Sequence, residues 1–136
     1  MNRQELRTKL GLVAGQLLRE KGYVSYPDLF IALGYLDQRD YEDWRFRRVP
    51  YLERVIKTNL KRISFIMITV RKNSLNGKLK PSRTAYMSWG KEPKDQLRFS
   101  KSGSPPIEQL WTTHFVKQKL GQAGGKWGQP LFMTIW

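Results

Sequence analysis

The stretch from residue 51 to about residue 74 constrains the fold most, because its apolar residues recur at helical spacing. Its segment ISFIMITV (residues 63–70) is rich in β-branched residues and, taken alone, is compatible with a strand. At about 100° per residue, the apolar side chains from Leu52 to Val70 fall mostly within one arc. The opposite side carries Arg54, Lys57, Lys61 and Lys72. A strand gives no reason for this sorting, so we predict one long helix that opens at Pro50.

Two side chains do not fit that pattern. Phe65 and Ile68 fall on the cationic side of the predicted helix. Either they pack beneath a neighbouring element or they contact a partner molecule, and the sequence leaves both alternatives open.

Apolar spacing and terminal residues predict further helices along the chain. Gly22 and Gly34 stand where helix-ending glycines belong, and Ser25 is a typical capping residue. The sequence LRFS alternates and predicts a short strand. The further predicted helices cover residues 2–20, the segment between Ser25 and Gly34, residues 37–48, residues 82–89 and residues 104–120, and the strand covers residues 97–100.

These elements predict a mainly α-helical single domain with a small β element, and a winged helix is the nearest fold type. A length of 136 residues is typical of one domain, and a hydrophobic fraction of 40% is sufficient for a core. We expect the domain to cover residues 1–120. Residues 121–136 form a glycine-rich tail with an apolar end.

The positive charge is concentrated in the middle of the chain. The formal net charge is +14, and residues 44–101 hold sixteen cations but only three acids. Residues 1–43 hold six cations and seven acids. Such an asymmetry indicates a face that meets a polyanion, namely DNA, RNA, anionic lipid or an acidic protein.

Several classes of protein are disfavoured by composition. The chain has no cysteine, which removes disulfides and thiolate metal sites and agrees with a cytoplasmic location. No segment resembles a secretory signal or a membrane span. We expect no cofactor and no metal, and no heptad seam specifies an oligomeric state.

The stretch GKLKPSRTAYMSWGK (residues 77–91) contains the main candidate site. Ser82 is predicted to cap a recognition helix, followed by a wing in residues 90–101. Arg83 and Thr84 would then face base edges, and the neighbouring lysines would hold phosphates. Tyr86 and Trp89 are three residues apart, so they share one face of the predicted helix. Aromatic side chains in such an arrangement are more often buried in the core than exposed for stacking on bases. The predicted nucleic-acid-binding residues here are Lys78, Lys80, Ser82, Arg83, Thr84 and Lys91.

Two further basic clusters extend the predicted face. WRFRRVP contributes Arg45 and Arg48, with Trp44 directed to the core. LRFSKSG contributes Arg98 and Lys101, with Phe99 directed to the core. The predicted long helix adds Lys57 and Lys61 to the same set.

Duplex DNA binding by a regulator-like protein is the leading hypothesis. An RNA-binding module or ribonucleoprotein subunit is the first alternative, in which exposed rings stack on bases. A basic adaptor or inhibitor that meets an acidic protein is the second.

Catalysis has little support in the sequence. His114 is the single histidine and falls on the predicted last helix, and no nucleotide-binding or protease motif is present. The acids Asp37, Asp40, Glu42 and Asp43 with Glu53 are the only candidates for a Mg²⁺-dependent nuclease. We expect no enzyme activity.

Five motifs together resemble a family of small uncharacterised bacterial and mobile-element proteins. They are YEDWRF, VPYLERV with Asn59-Leu60, LKPSRTAYMSWGK, LRFSKSG and IEQLWTTHFV. The resemblance spans about residues 35–116 and implies a shared mostly helical fold, without an assigned activity. Arg47 stands where the family pattern has glycine, and the chain after Val116 lies outside the pattern.

Overall fold

The computed structural model describes residues 2–91, 93–120 and 131–132. These ranges form a mainly helical domain with a small antiparallel sheet, which confirms the predicted fold class. The helices are α1 (Arg3–Lys21), α2 (Tyr26–Leu33), α3 (Gln38–Arg45), the 3₁₀ turn Leu52–Val55, α4 (Leu60–Asn76) and α5 (Pro105–Trp111). The strands are β1 (Tyr23–Val24), β2 (Lys80–Arg83), β3 (Thr113–Val116), β4 (Lys119–Leu120) and β5 (Leu131–Phe132).

Capping residues set the ends of the first two helices, and those at Gly22, Ser25 and Gly34 agree with the sequence prediction. Asn2 and Glu5 form a reciprocal capping box at the start of α1, and Gly22 ends that helix with φ 82°. The Ser25 side chain accepts a hydrogen bond from the backbone N–H of Asp28, and Gly34 ends α2 with φ 86°. Local sequence therefore determines the N-terminal third of the fold.

The predicted long helix is correct over residues 63–70 and wrong over residues 51–59. Leu52–Val55 forms a 3₁₀ turn, and Ile56 is extended. The backbone N–H groups of Leu52 and Glu53 donate to the carbonyl groups of residues 98 and 99 instead of starting an α-helix. Asn59 then starts α4, because its side chain accepts from the backbone N–H of Arg62.

Strand β2 replaces the predicted recognition helix. Lys80–Arg83 pairs antiparallel with Thr113–Val116, and β1 pairs with the other side of β3, giving the order β1-β3-β2. Pro81 fits this position because an edge strand tolerates a missing N–H. The sequence-based helix over residues 82–89 is therefore wrong, and a winged-helix fold is not confirmed.

The last predicted helix is also shorter than expected. Helix α5 ends at Trp111, and His114 lies on β3 rather than on a helix. The hydroxyl groups of Thr112 and Thr113 donate to backbone carbonyls one turn earlier, at the point where the chain turns into the sheet. The predicted tail after Leu120 lies outside the described residues, except for the two residues of β5.

Residues 97–100 are extended but do not form the predicted strand. The N–H of Leu97 donates to the carbonyl of Tyr86, and Glu108 accepts from the N–H groups of Phe99 and Ser100. These contacts tie the segment to the loop before it and to α5. No helix in the described ranges is long and apolar enough to cross a bilayer.

Buried aromatic rings from three separate segments pack together in the core, namely Trp44 on α3, Phe99 in the extended segment and Trp111 on α5. Phe99 lies between two fully buried tryptophans, with ring centroids 4.9 Å from Trp44 and 5.3 Å from Trp111. The indole Nε1 of Trp44 donates to the carbonyl of Arg98 at 2.8 Å, and Nε1 of Trp111 donates to Glu53 at 3.1 Å. The predicted core positions of Trp44 and Phe99 are confirmed.

Candidate functional site

Three of the predicted nucleic-acid-binding residues are held by contacts within the chain. Lys57 forms an ion pair with Asp37 at 2.5 Å, and Arg48 pairs with Asp43 at 3.1 Å. The hydrogen bond to Asp37 raises the pKa of Lys57 above its ordinary value. The guanidinium of Arg98 donates to the carbonyls of Ser100 and Lys101. These side chains keep their charge, but part of their hydrogen-bonding capacity is already used.

A second group surrounds the exposed edge strand β2. All four residues of this strand are exposed, and Thr84 follows it directly. Arg83 donates to the side chain of Gln109 at 3.2 Å. The other predicted side chains, Lys61, Lys91 and Lys101, are exposed at separate places. The predicted set of residues on this edge is Lys78, Lys80, Ser82, Arg83 and Thr84.

Arginines and aromatic rings alternate on the surface beside the end of α3. The guanidinium of Arg45 lies 4.7 Å from the ring centroid of Trp89 and 5.2 Å from that of Tyr86. The guanidinium of Arg48 lies 5.1 Å from the ring of Phe46, and that ring meets Trp89 edge to face at 5.6 Å. We call this set the arginine–aromatic cluster; it comprises Tyr41, Arg45, Phe46, Arg48, Tyr86 and Trp89.

The turn after α3 explains why Phe46 and Arg48 are presented to solvent. Arg47 has φ 64°, in the left-handed region that favours glycine, and it forms an ion pair with Asp95. The backbone N–H of Trp89 donates to the carbonyl of Arg45 at 2.7 Å, which fixes the second ring beside the first arginine.

Arg45 carries a charge without a hydrogen-bonded counterpart in the described part of the chain. Its Nε atom is buried and has no hydrogen-bond partner there, while the guanidinium lies against the rings of Tyr41, Tyr86 and Trp89. Contact with ring faces stabilises a cation, but it leaves the N–H donors unused.

A polar cavity of about 400 Å³ opens beside Arg45, and we call it the His114 pocket. The hydroxyl of Tyr86 and Nε2 of His114 share a hydrogen bond of 2.9 Å, and the imidazole stacks on Tyr23 with centroids 4.9 Å apart. The wall across the pocket includes Lys21, Asp28 and Thr84, which connects it to the end of β2.

Burial determines the protonation of the pocket. Desolvation lowers the pKa of His114 and raises the pKa of Tyr86, so both groups favour their neutral forms near pH 7. Burial opposes the charge of Lys21, but the hydrogen bond and the charge of Asp28 together raise the pKa of that lysine. The negative charge of the Asp28 carboxylate offsets the positive charge of the Lys21 ammonium, so Arg45 supplies the pocket's unbalanced positive charge.

The acids considered for Mg²⁺ are distributed over separate contacts. Asp37 and Asp43 pair with Lys57 and Arg48, and Glu53 accepts from Trp111. Glu42 accepts from Gln38 at 3.0 Å. In the described ranges, no group of three or more acidic or histidine side chains is arranged to hold a metal ion.

Sequence reasoning identified Arg45 and Arg48 but missed the groups that meet them. Tyr41, Phe46 and Tyr23 were not selected, and His114 was assigned to a helix. The alternation of rings and arginines in YEDWRFRR was the available signal for the cluster. No local signal indicates that β3 brings His114 against Tyr86.

Comparison with known proteins gives no match from which a function can be inferred, so the function has to be inferred from the chemistry of these side chains. No protein-family model matches the sequence, and neither the curated proteins nor the solved structures include a significant match. The side chains in question offer ring faces, arginine donors and neutral hydrogen-bonding groups within one continuous surface.

Proposed function

We propose that this protein binds single-stranded nucleic acid, RNA or DNA, at the arginine–aromatic cluster. The observation that carries the proposal is the pair of exposed rings flanked by arginines. Phe46 is 42% exposed and Trp89 is 37% exposed, whereas every other aromatic side chain in residues 2–91 and 93–120 is buried or partly buried. Rings that remain accessible beside guanidinium groups are the feature that single-strand binders use.

The rings supply a platform for unpaired bases. Stacking of a base on an aromatic side chain contributes roughly 1–3 kcal/mol and tolerates any base, because every base has a π face. Phe46 and Trp89 meet edge to face, so the two rings offer differently oriented surfaces to successive bases. Duplex DNA keeps its bases stacked inside and gains little from such a platform.

The cations supply contacts to phosphates. Residues 44–101 carry sixteen of the chain's twenty-five cations, and Arg45 and Arg48 adjoin the exposed rings. Thr84 lines the His114 pocket and follows β2, so a strand leaving the rings can continue along Lys80 and Arg83. Phosphate contacts of this kind give affinity and position without sequence preference.

The hypothesis of duplex recognition depended on a recognition helix over residues 82–89, and no helix covers these residues. Arg83 and Thr84 were expected at the N-terminus of a recognition helix, and residues 80–83 instead form an edge strand. Lys80 and Arg83 lie on this exposed edge strand, so no helix presents them to a major groove. The alternative hypothesis of RNA or single-strand binding is therefore the one we adopt.

The test is fluorescence anisotropy with RNA, single-stranded DNA and duplex DNA of one sequence, each about 12 nucleotides long. Phe46→Ala/Trp89→Ala should weaken single-strand binding at least tenfold, since two stacking contacts of roughly 1–3 kcal/mol each are removed. Arg45→Met should weaken it and reduce the slope of log K against log salt by about 0.7 per lost phosphate contact.

Arg19→Ala is the matched control, because it removes an exposed cation from α1, outside the cluster. Urea unfolding of each variant separates loss of binding from loss of fold. Tighter binding to duplex than to either single strand, or unchanged binding by the folded Phe46→Ala/Trp89→Ala variant, would overturn the proposal.

A further inference from the structure

A second cavity, of about 370 Å³, lies between α4 and α5. Its lining is mainly apolar, whereas the lining of the His114 pocket is mainly polar. Four aliphatic side chains at this cavity are exposed although they are large. Leu60 and Ile68 are each 66% exposed, and Leu110 is 45% exposed. We call this feature the α4–α5 groove; its exposed aliphatic residues are Leu60, Ile68, Ile107 and Leu110.

Helix α4 carries a buried apolar face and, outside it, the exposed aliphatic side chains of Leu60 and Ile68. Ile63, Ile66 and Val70 face the core. Leu60, Ser64 and Ile68 follow each other at intervals of four residues, so they form a second line on the same helix. This line is one wall of the groove, and Ile68 is one of the two residues that did not fit the predicted cationic side.

Three of the five polar residues that line the groove, Glu53, Ser100 and Ser102, have side-chain hydrogen-bond partners within the chain. Glu53 accepts from Nε1 of Trp111. Ser100 donates its hydroxyl to Glu108 at 2.6 Å and its N–H to the same carboxylate at 2.8 Å. Apart from Ser64 and Lys101, the groove therefore offers a ligand mainly apolar contact.

The edge of the groove is positively charged. Lys101 is exposed and lines it directly. On α4, Lys61 lies one helical turn from Ser64, while Arg71 and Lys72 lie one turn from Ile68. A partner that covers the aliphatic side chains comes close to these cations, so acidic flanks on that partner are favoured.

We propose that the α4–α5 groove docks an amphipathic helix of an acidic partner protein. The distance from Leu60 to Ile68 along α4 is about 12 Å, at 1.5 Å per residue, which matches roughly two turns of a partner helix. Apolar residues of that helix at positions i, i+3, i+4 and i+7 fill the groove, and its acidic residues meet the surrounding cations.

A second copy of the chain is a poor occupant, because two molecules of formal charge +14 repel each other.

The α4–α5 groove shares no lining residue with the His114 pocket, so this proposal does not depend on the proposed nucleic-acid function. An exposed aliphatic groove of this kind is typical of a binding surface rather than of a free monomer face.

The probe is a synthetic helical peptide of about 16 residues, with leucine at i, i+3, i+4 and i+7 and glutamate at the remaining exposed positions. Its comparison is a scrambled peptide of the same composition, which removes the apolar face but keeps the charge. Backbone amide resonances of the full chain are followed by NMR during titration. The proposal expects saturable shifts at residues 60–68 and 107–111 with the helical peptide only.

The variant Ile68→Ser/Leu110→Ser removes apolar contact at two exposed positions, so the fold is retained. It should bind the peptide at least tenfold more weakly and bind single-stranded RNA as the wild type does. Leu12→Ser is the matched control, because Leu12 is an exposed aliphatic residue on α1. Peptide affinity equal to wild type in Ile68→Ser/Leu110→Ser, or equal affinity for the scrambled peptide, would overturn the proposal.

Two other occupants are also distinguished. Sedimentation equilibrium that shows a dimer of wild type, but a monomer of Ile68→Ser/Leu110→Ser, would replace the partner helix with a second copy. Binding of phosphatidylserine vesicles that depends on Ile68 and Leu110, without saturable peptide binding, would replace it with an anionic membrane surface. Either result rejects the docking of an acidic helix.

Discussion

The arginine–aromatic cluster with its pocket and the α4–α5 groove differ in chemistry although their cavities are similar in volume. The His114 pocket is lined by tyrosine, imidazole and charged groups, whereas the α4–α5 groove is lined mainly by aliphatic side chains. Both are surrounded by cations. The two proposals share this positive charge, and the lining of each cavity distinguishes the class of molecule that we expect at each face.

The two faces nevertheless depend on one aromatic core. Trp44 lies beneath the arginine–aromatic cluster, where its ring is 5.8 Å from that of Tyr86. Trp111 lines the α4–α5 groove. Phe99 contacts both tryptophans, so the supports of the two faces meet at one ring. Surface substitutions should separate the two binding activities, and core substitutions should not.

The largest effect is expected from removal of either tryptophan. Trp44→Ala and Trp111→Ala should each lower the free energy of unfolding by about 3–5 kcal/mol, because a large buried ring leaves a cavity. Urea unfolding measures the loss, and the two binding assays should fail together in both variants. Trp111→Phe keeps most of the ring and should cost less. Loss of only one binding activity in a folded Trp111→Ala variant would contradict the shared core.

A smaller loss of stability is expected from removal of the Glu108 carboxylate. This carboxylate accepts from the N–H groups of Phe99 and Ser100 and from the Ser100 hydroxyl. Glu108→Ala leaves these donors without that acceptor and should lower the free energy of unfolding by about 2–4 kcal/mol. Hydrogen exchange at the amides of Phe99 and Ser100 should accelerate more than exchange in α1.

Glu42→Gln is the control for that substitution, since Glu42 is an exposed carboxylate on α3 with one side-chain hydrogen bond. Its effect on stability should stay below about 0.5 kcal/mol, as for surface substitutions in general. Equal loss of stability in Glu108→Ala and Glu42→Gln would show that the segment after Leu97 is held by other contacts.

The parts of the fold that were predictable from sequence are those that local interactions determine. The caps at Ser25 and the terminal glycines Gly22 and Gly34 act within a few residues, so α1 and α2 were predicted with nearly correct ends. The helix over residues 63–70 was recovered because its apolar periodicity outweighs the β-branched composition. Burial of Phe99 was expected from a strand in which Arg98 and Ser100 face the other side, and burial of Trp44 was expected from its place on a short helix; both rings are buried.

The parts that were not predictable depend on pairing between distant segments. Ser82 resembles a helix cap, yet it pairs with His114, thirty-two positions later, in the sheet. Residues 51–59 have a helical pattern, yet the N–H groups of Leu52 and Glu53 donate to residues 98 and 99. Arg45 and Arg48 lie in one short basic motif, so they could be selected from the sequence. The hydrogen bond between Tyr86 and His114 joins distant segments, so it could not be predicted.

The smallest predicted effect is a pH dependence that belongs to the His114 pocket and not to the groove. The pKa of His114 lies below its ordinary value because burial disfavours the imidazolium, with Asp28 opposing and Lys21 reinforcing that shift. Tyr23 and Tyr86 also face the ring, and burial keeps the Tyr86 hydroxyl neutral.

As the pH falls through about 6.5, the histidine of the unfolded chain takes up a proton before that of the folded chain. The free energy of unfolding should therefore decrease as the pH is lowered, until the imidazole of the folded state is also protonated. Thermal unfolding of wild type and His114→Gln from about pH 7.5 to about pH 5.5 measures the difference between their slopes. His114→Gln should lose less stability over that interval, and peptide binding at the groove should follow the same pH curve in both proteins. Parallel stability curves for the two proteins would contradict the protonation assigned to the pocket, because the carboxylates titrate identically in both.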